Sequence, residues 1–319
     1  MKFGRYLLAS LACCLVSTTQ VHAQFPTRPM TMVVTFQAGG ITDSIARLLA
    51  QKVSESLDKP IIVDNRPGAE GQIGAQYLAK AAPDGYTFGF VSSGNFSGLP
   101  AMSVNPPYDV VKDFTPIAEV GRYAFYLFVN TKVPVKTFKE FVDYAKAKPG
   151  VLNYGTGNNT GVLAFAQLQR MFNIKLAHIP YKGEPAATTD LISERIDAMI
   201  GSSAALPYVQ EGKLRNLVTL LPERSSLAPD VPVLREVGTE NLGISSWAGI
   251  VGPAGMPADI QEKLSKAFVA AANLPDVREK IEKQGFTLTP AGPDGLRKTI
   301  ETQLDAHRTL VKESGIPLK

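Results

Sequence analysis

The feature that most constrains the fold is a rhythm. Short apolar, β-branched runs alternate with amphipathic stretches: TMVVTF at 31–36, a helical pattern over 42–57, PIIV at 60–63, another over 71–81, then YTFGFV at 86–91. Such alternation is the signature of βαβ units, in which helices cover both faces of a parallel sheet. The rhythm breaks at 94–116, GNFSGLPAMSVNPPYDVVKDFTP, where four prolines and little periodicity predict a long surface excursion. It resumes with YAFYLFVN, a helix over 137–147, LNYG, a helix over 160–172, LAHIP, a helix over 185–194, IDAMI, a helix over 205–212 and LRNLVTL. After a Pro-rich loop at 222–232, SSWAGIVGP reads as a strand, and helical stretches over 257–272, 276–284 and 293–314 complete the chain.

Two units of similar length and rhythm predict two α/β lobes joined by extended crossovers near 120–126 and 243–248. The expected division is an export signal over 1–23, one lobe from 24–122 plus 246–319, and a second lobe from 123–245. The export signal reads from Lys2 and Arg5, the apolar Tyr6 to Val16, and Val21-His22-Ala23 as a cleavage site before Gln24. A lipoprotein alternative would need processing at Cys13 or Cys14, whose preceding residues fit poorly. Both cysteines lie in that segment, so cleavage after Ala23 would leave no disulfide and no thiolate ligand. Removing Lys2 and Arg5 from the 33 basic residues leaves 31 against 29 acidic ones, a net charge of +2, which points to neither nucleic acid nor an anionic membrane surface. No later run of about 18 apolar residues occurs, so the expected product is a soluble periplasmic or secreted monomer.

Ligands of open α/β sheets bind beyond the carboxyl ends of the strands, so the strand-end loops hold the candidates. The first is FQAGGITDSIARLLAQKV, 36–53. Gly39 and Gly40 turn the strand into a helix that Thr42 or Asp43 can cap, with Ile45, Leu48, Leu49, Val53 and Leu57 on one buried face. The reading is either an ordinary capped turn or a cradle in which free backbone N–H groups hold a carboxylate. Phosphate fits less well, since no GxxxxGK follows. The second candidate is LNYGTGNNTGVLAF, 152–165, whose Gly155, Gly157 and Gly161 form a GxGxxxG. No acidic residue stands about 20 positions on, against a dinucleotide; the open readings are a structural turn or a polar cradle including Thr156, Gly157, Asn159 and Thr160. Ser92 and Ser93 follow YTFGFV, and Ser202 and Ser203 follow IDAMI. His178 and His307 lack partners at ligand spacing, and neither a GxSxG elbow nor HExxH occurs. A non-enzymatic binding protein without metal or cofactor is expected.

Seven blocks in order carry a family resemblance: AGGITDSIARLLAQKVSESLDKPIIVDNRPGAEGQIGA, APDGYTFGF, PYDVVKDFTPIAEV, KPGVLNYG, HIPYKGEPAATTDLI, APDVPVLREVG and SSWAGIVGPAGMP. Together they resemble the Bug or TctC family, the periplasmic solute receptors of tripartite tricarboxylate transporters. The resemblance implies a type II periplasmic-binding-protein fold with a cleft that closes on a small carboxylate: a di- or tricarboxylate, an aromatic acid or an acidic amino acid. It further implies that Gly39, Gly40, Thr42 and Asp43 face Thr156, Gly157, Asn159 and Thr160 across that cleft. The implied partner is a membrane permease, with a signalling kinase as the alternative. Departures fall in the same loops. TFQAGG stands where members usually read PFxPGG, which singles out Gln37 and Ala38; the second loop is about two residues short; and Val162 falls near a common histidine. Gly201-Ser202-Ser203 replaces an acidic residue that often follows IDAMI, which favours plain di- or aromatic carboxylates over amino acids.

Overall fold

The structure, a computed structural model, describes residues 25–239, 242, 244–316 and 318. The expected export signal lies outside the described residues. The chain begins with β1 (Met30–Val34), α1 (Ile41–Leu57), β2 (Ile61–Asn65), α2 (Gln72–Ala79) and β3 (Thr87–Ser92). A π-type turn over Gly94–Gly98 and the short α3 (Leu99–Met102) lead to β4 (Phe114–Tyr123). Directly after β4 the chain enters a second sheet as β5 (Phe125–Asn130), followed by α4 (Phe138–Ala147), β6 (Asn153–Thr156), α5 (Asn159–Phe172) and β7 (Ala177–Pro180). That lobe is completed by α6 (Glu184–Ile192), β8 (Ala198–Ser202), α7 (Leu206–Gln210) and β9 (Leu214–Thr219). The return passes through β10 (Trp247–Pro253), α8 (Ala258–Ala272), α9 (Pro275–Glu282), β11 (Phe286–Ala291) and α10 (Pro293–Ser314).

The first sheet runs β11-β4-β10-β3-β1-β2 and the second β7-β6-β8-β5-β9. Both share one plan: a parallel trio (β2-β1-β3 and β7-β6-β8) continued by an antiparallel strand, β10 or β5. The wholly parallel sheet expected from the βαβ rhythm is therefore corrected to a mixed one. In each lobe the antiparallel strand is the one that has just crossed from the other lobe. WAGIVGP and FYLFVN are buried along their entire length, as a central parallel strand is, so their composition carries no sign of direction. This strand order in two linked lobes is the two-lobed periplasmic-binding-protein fold.

The surface excursion expected over 94–116 is corrected over 94–102, whereas 103–113 does run along the surface with Tyr108 and Val110 turned in. Asn95, Phe96, Ser97, Gly98, Pro100, Ala101 and Met102 are buried, and Phe114 opens β4. Asn95 makes this interior position tolerable: its Oδ1 accepts from the Ser92 N–H (2.9 Å), its Nδ2 donates to Thr35 Oγ1 (3.1 Å), and Tyr108 donates its hydroxyl to the Asn95 carbonyl (2.6 Å). Buried polar groups are stable when so paired. Phe96 packs on Tyr108, Phe114 and Trp247. Burial of each such ring is worth about 1.5–3 kcal/mol, enough to hold a segment with no regular period.

Three apolar clusters fill the molecule. One lies between the first sheet and α1, α8 and α9; another lies under α6 and α7 of the second lobe. The third is shared, running from α2, α3 and α10 to α4 and α5 across both lobes. In α10, Leu296, Ile300, Leu304, His307, Leu310 and Val311 form one buried stripe at helical spacing. That helix packs against elements of both lobes, β4 and α3 on one side and α5 on the other.

Candidate functional site

The crossovers are tied to one another and to the turn before β11: the Tyr123 N–H donates to the Ser246 carbonyl (2.7 Å) and the Ala124 N–H to the Gly285 carbonyl (2.8 Å). Beside them lies a cavity of about 250 Å³. Its wall from the first lobe is Phe36, Ile41, Thr42, Ser92, Ser93 and Gly94; the second lobe supplies Asn158, Thr160, Glu184 and Ser202; Tyr123, Phe125 and Ser246 come from the crossovers. Two helix starts, those of α1 and α5, open on it. Their first-turn N–H groups have no carbonyl four residues back and present partial positive charge.

Of the twelve residues singled out from sequence, Thr42, Ser92, Ser93, Thr160 and Ser202 line this cavity. The others serve the walls. Gly39 adopts φ +84°, a conformation glycine accepts readily, and donates its N–H to Asp43 Oδ2 (2.9 Å). Gly40 occupies the N-cap of α1 with no side-chain cap. Asp43 turns inward, accepting also from Arg47 Nε (3.0 Å) and Asn65 Nδ2 (2.9 Å). Burial pushes its carboxyl up, but hydrogen bonds from Arg47, the Gly39 N–H and Asn65 outweigh that and leave it below the ordinary carboxylate value. Thr42 instead pairs its hydroxyl with that of Tyr123 (2.8 Å), linking the helix start to the crossover.

In the opposite loop, Thr156 shares a 2.6 Å hydrogen bond with His178 Nε2, and His178 stacks on Tyr154. Gly157 lies so close to the Gly183–Glu184 backbone that a Cβ there would collide with it. Asn159 is buried against Gly98, while its neighbour Asn158 caps α5 by accepting from the Gly161 N–H (2.8 Å) and lines the cavity. Ser203 reaches the first lobe, donating to the Gln284 carbonyl (3.0 Å).

Sequence reasoning missed Glu184, the charged residue of the lining. Both the Ser202 N–H (2.6 Å) and the Ser202 hydroxyl (2.8 Å) donate to its Oε1. The residue as a whole is only partly buried, but its carboxyl end is enclosed, and burial pushes that carboxyl up against the opposing pull of the Ser202 bonds. Among the described residues no lysine, arginine or histidine lines the cavity. Glu184 opens α6 after the three-residue loop that follows β7, so the strand-end rule applied to LAHIP would have flagged it. Tyr123, Phe125 and Ser246 sit in segments legible as crossovers, without a sign that they face the ligand space. Burial likewise pushes the Tyr123 hydroxyl up, with the Thr42 bond opposing.

A hydroxyl-lined cavity between two α/β lobes defines the class as a two-lobed solute-binding protein. The chain belongs to the receptor family of the tripartite tricarboxylate transporters: the family model described as "Tripartite tricarboxylate transporter family receptor" matches residues 45–316. The "UPF0065 protein in gbd 5'region" of Cupriavidus necator is 38% identical over 269 residues, covering 84% of this chain and 81% of that protein. Among solved structures, Rpa4515 of R. palustris with adipate superposes with TM-score 0.81 at 29% identity, covering 92% of this chain and 99% of that one. MatC (Rpa3494) from Rhodopseudomonas palustris with bound malate gives TM-score 0.76 at 29% identity, covering 90% and 100%.

Proposed function

We propose that the chain is a periplasmic receptor that captures a small carboxylate between its lobes and delivers it to the permease of a tripartite tricarboxylate-type transporter, without catalysing a reaction. The observation that carries this reading is the cavity itself, where Thr42, Ser92, Ser93, Thr160, Ser202 and Ser246 border a space between the lobes on which two helix starts open. Ser93 Oγ, shielded within that wall, has no hydrogen-bond partner, and an orphaned donor is costly until something accepts its hydrogen bond. Ser93 stands with Thr42, Thr160 and Ser246 and with the starts of α1 and α5, a set suited to a carboxylate that needs no buried cation. Hydrogen bonds to a charged group contribute about 1.5–3 kcal/mol each, so four or five approach the roughly 8 kcal/mol of a micromolar complex before ordering costs. The cavity's 250 Å³ lies just below the ~300–1,000 Å³ typical of small-molecule pockets, in keeping with a short acid. Relatives with adipate and with malate support that class.

On this reading the lobes divide as 24–122 plus 246–319 and 123–245, the chain is a monomer, and export removes residues through Ala23. Among the described residues no helix is long and apolar enough to cross a membrane. The test is calorimetry on protein unfolded and refolded to strip co-purified ligand, titrated with mono-, di- and tricarboxylates, aromatic acids and amino acids. Heat from none of them would overturn the proposal. Mass spectrometry of the intact exported protein checks the cleavage position.

A further inference from the structure

The acidic residue absent after IDAMI is replaced in space. Gly201-Ser202-Ser203 lacks a carboxylate, yet Glu184 enters the same corner from the start of α6 and hydrogen-bonds Ser202. Two glycines make room for it: a Cβ on Gly157 would collide with the backbone at 183–184, and one on Gly201 would lie 2.9 Å from Glu184 Oε1. Both Ser202 bonds fall on Oε1, and among the described residues no cation pairs with the carboxylate. The rest of the lining is hydroxyls, an amide, Gly94, Ile41 and the rings of Phe36, Tyr123 and Phe125.

Such a lining is asymmetric. The starts of α1 and α5 with Thr42, Ser93 and Thr160 favour an anion, whereas Glu184 confronts the ligand with a carboxylate that lacks a counter-charge. A second ligand carboxylate near Glu184 would place two like charges in an enclosed space, which disfavours ionisation of both. An ammonium there would supply the missing partner, and aromatic walls accept cations at their ring faces.

We propose that Glu184 makes this receptor selective for amino-carboxylate zwitterions, its carboxylate receiving the ligand's charged nitrogen while the first-lobe wall, at Thr42, Ser93 and the start of α1, holds the ligand's carboxylate. This rests on the carboxylate-receptor reading above and narrows it from carboxylates in general to those bearing a cationic nitrogen. It reverses the preference for plain di- or aromatic carboxylates drawn from the missing residue after IDAMI.

The experiment is calorimetry of the stripped full-length mature protein with matched probes: pentanoate, pentanedioate, 2-aminopentanoate and 5-aminopentanoate, and the corresponding four-carbon set. The expected result is that at least one amino acid binds about thirtyfold or more tightly than its unsubstituted acid and its diacid, the loss typical when one partner of a buried charge pair is removed. Glu184→Gln keeps an amide oxygen for both Ser202 donors, and should lose that preference while retaining the melting temperature. Diacids binding as tightly as the amino acids in the wild type, or an undiminished preference in Glu184→Gln, would overturn the inference and leave the carboxylate reading standing. Binding of none of these probes, or of any other acid, overturns both. If the Gln variant fails to fold, Glu184→Asp is the second arm: a shortened carboxylate should weaken the amino acids more than the unsubstituted acid, and equal weakening overturns the inference.

Discussion

Lowering the pH should destabilise this protein through His307. The residue sits in the buried stripe of α10, 1% exposed, where the helix packs on α3, the 94–98 turn and α5. Desolvation drives its pKa down from 6.5 to about 4; the nearby Ser97 backbone favours the charged ring slightly, but neither ring nitrogen has a well-formed hydrogen bond. Above pH 6.5 the imidazole is neutral in folded and unfolded chains alike, and it contributes no pH dependence. As pH falls below 6.5 the unfolded chain binds a proton that the folded chain refuses, so stability drops by about 1.4 kcal/mol per pH unit until the folded value near 4 is reached. The total is about 3 kcal/mol, of which about 2 kcal/mol falls between pH 7 and pH 5, above most carboxylate titrations. The sole tryptophan, Trp247, is fully buried beside Phe96, so its fluorescence reports urea unfolding. His307→Leu is the matched variant, and subtracting its pH profile cancels the other groups. The wild type should lose about 2 kcal/mol more than the variant between pH 7 and pH 5. Identical losses would refute a buried neutral imidazole. A variant weakened by more than about 2 kcal/mol at pH 7 would show instead that the ring makes a hydrogen bond of real worth.

The turn into α1, proposed to hold the ligand's carboxylate, depends on Asp43: Asp43→Ala should cost about 2–4 kcal/mol in urea unfolding, since three donors lose a buried partner, and should abolish ligand heat by releasing the Gly39–Gly40 turn. Ser93→Ala removes an unpartnered hydroxyl, so its melting temperature should equal or exceed that of the wild type while affinity for the bound acid falls about tenfold; unchanged affinity would remove Ser93 from the site. Gly40→Val should fold normally, because φ −80° suits any residue and the new Cβ would lie 3.7 Å from the Gln37 carbonyl, yet it should lose binding at the α1 start; wild-type affinity in calorimetry would argue against that cradle. Gly157→Val should disrupt the 183–184 backbone and lower both stability and ligand affinity, as read by thermal melts and titration.

Sequence by itself determined the class. The 3.6-residue and two-residue periods mark which local faces are apolar, and in α1 the stripe read from sequence is turned inward, with Ile45, Leu49 and Val53 buried and Leu48 and Leu57 half-buried. Placing the strand-end loops as the search area also follows from sequence, because right-handed βαβ units leave those ends free for ligands. Direction and depth were decided only in three dimensions. WAGIVGP and FYLFVN look alike whether parallel or antiparallel, and 94–102 has no period because its burial rests on Asn95 hydrogen bonds and a ring cluster gathered from distant segments. Phe286–Ala291, read as a gap between helices, became a strand through pairing with β4. The division of labour within the loops is tertiary too. Asp43 turned inward because Arg47 and Asn65 offer it donors, and Glu184 reached the cleft because the second lobe's fold brings β8's end beside α6. Periodicity records how each segment meets its own neighbours along the chain; which side chain faces the ligand depends on how separately encoded segments dock, and that coordinate has no local pattern.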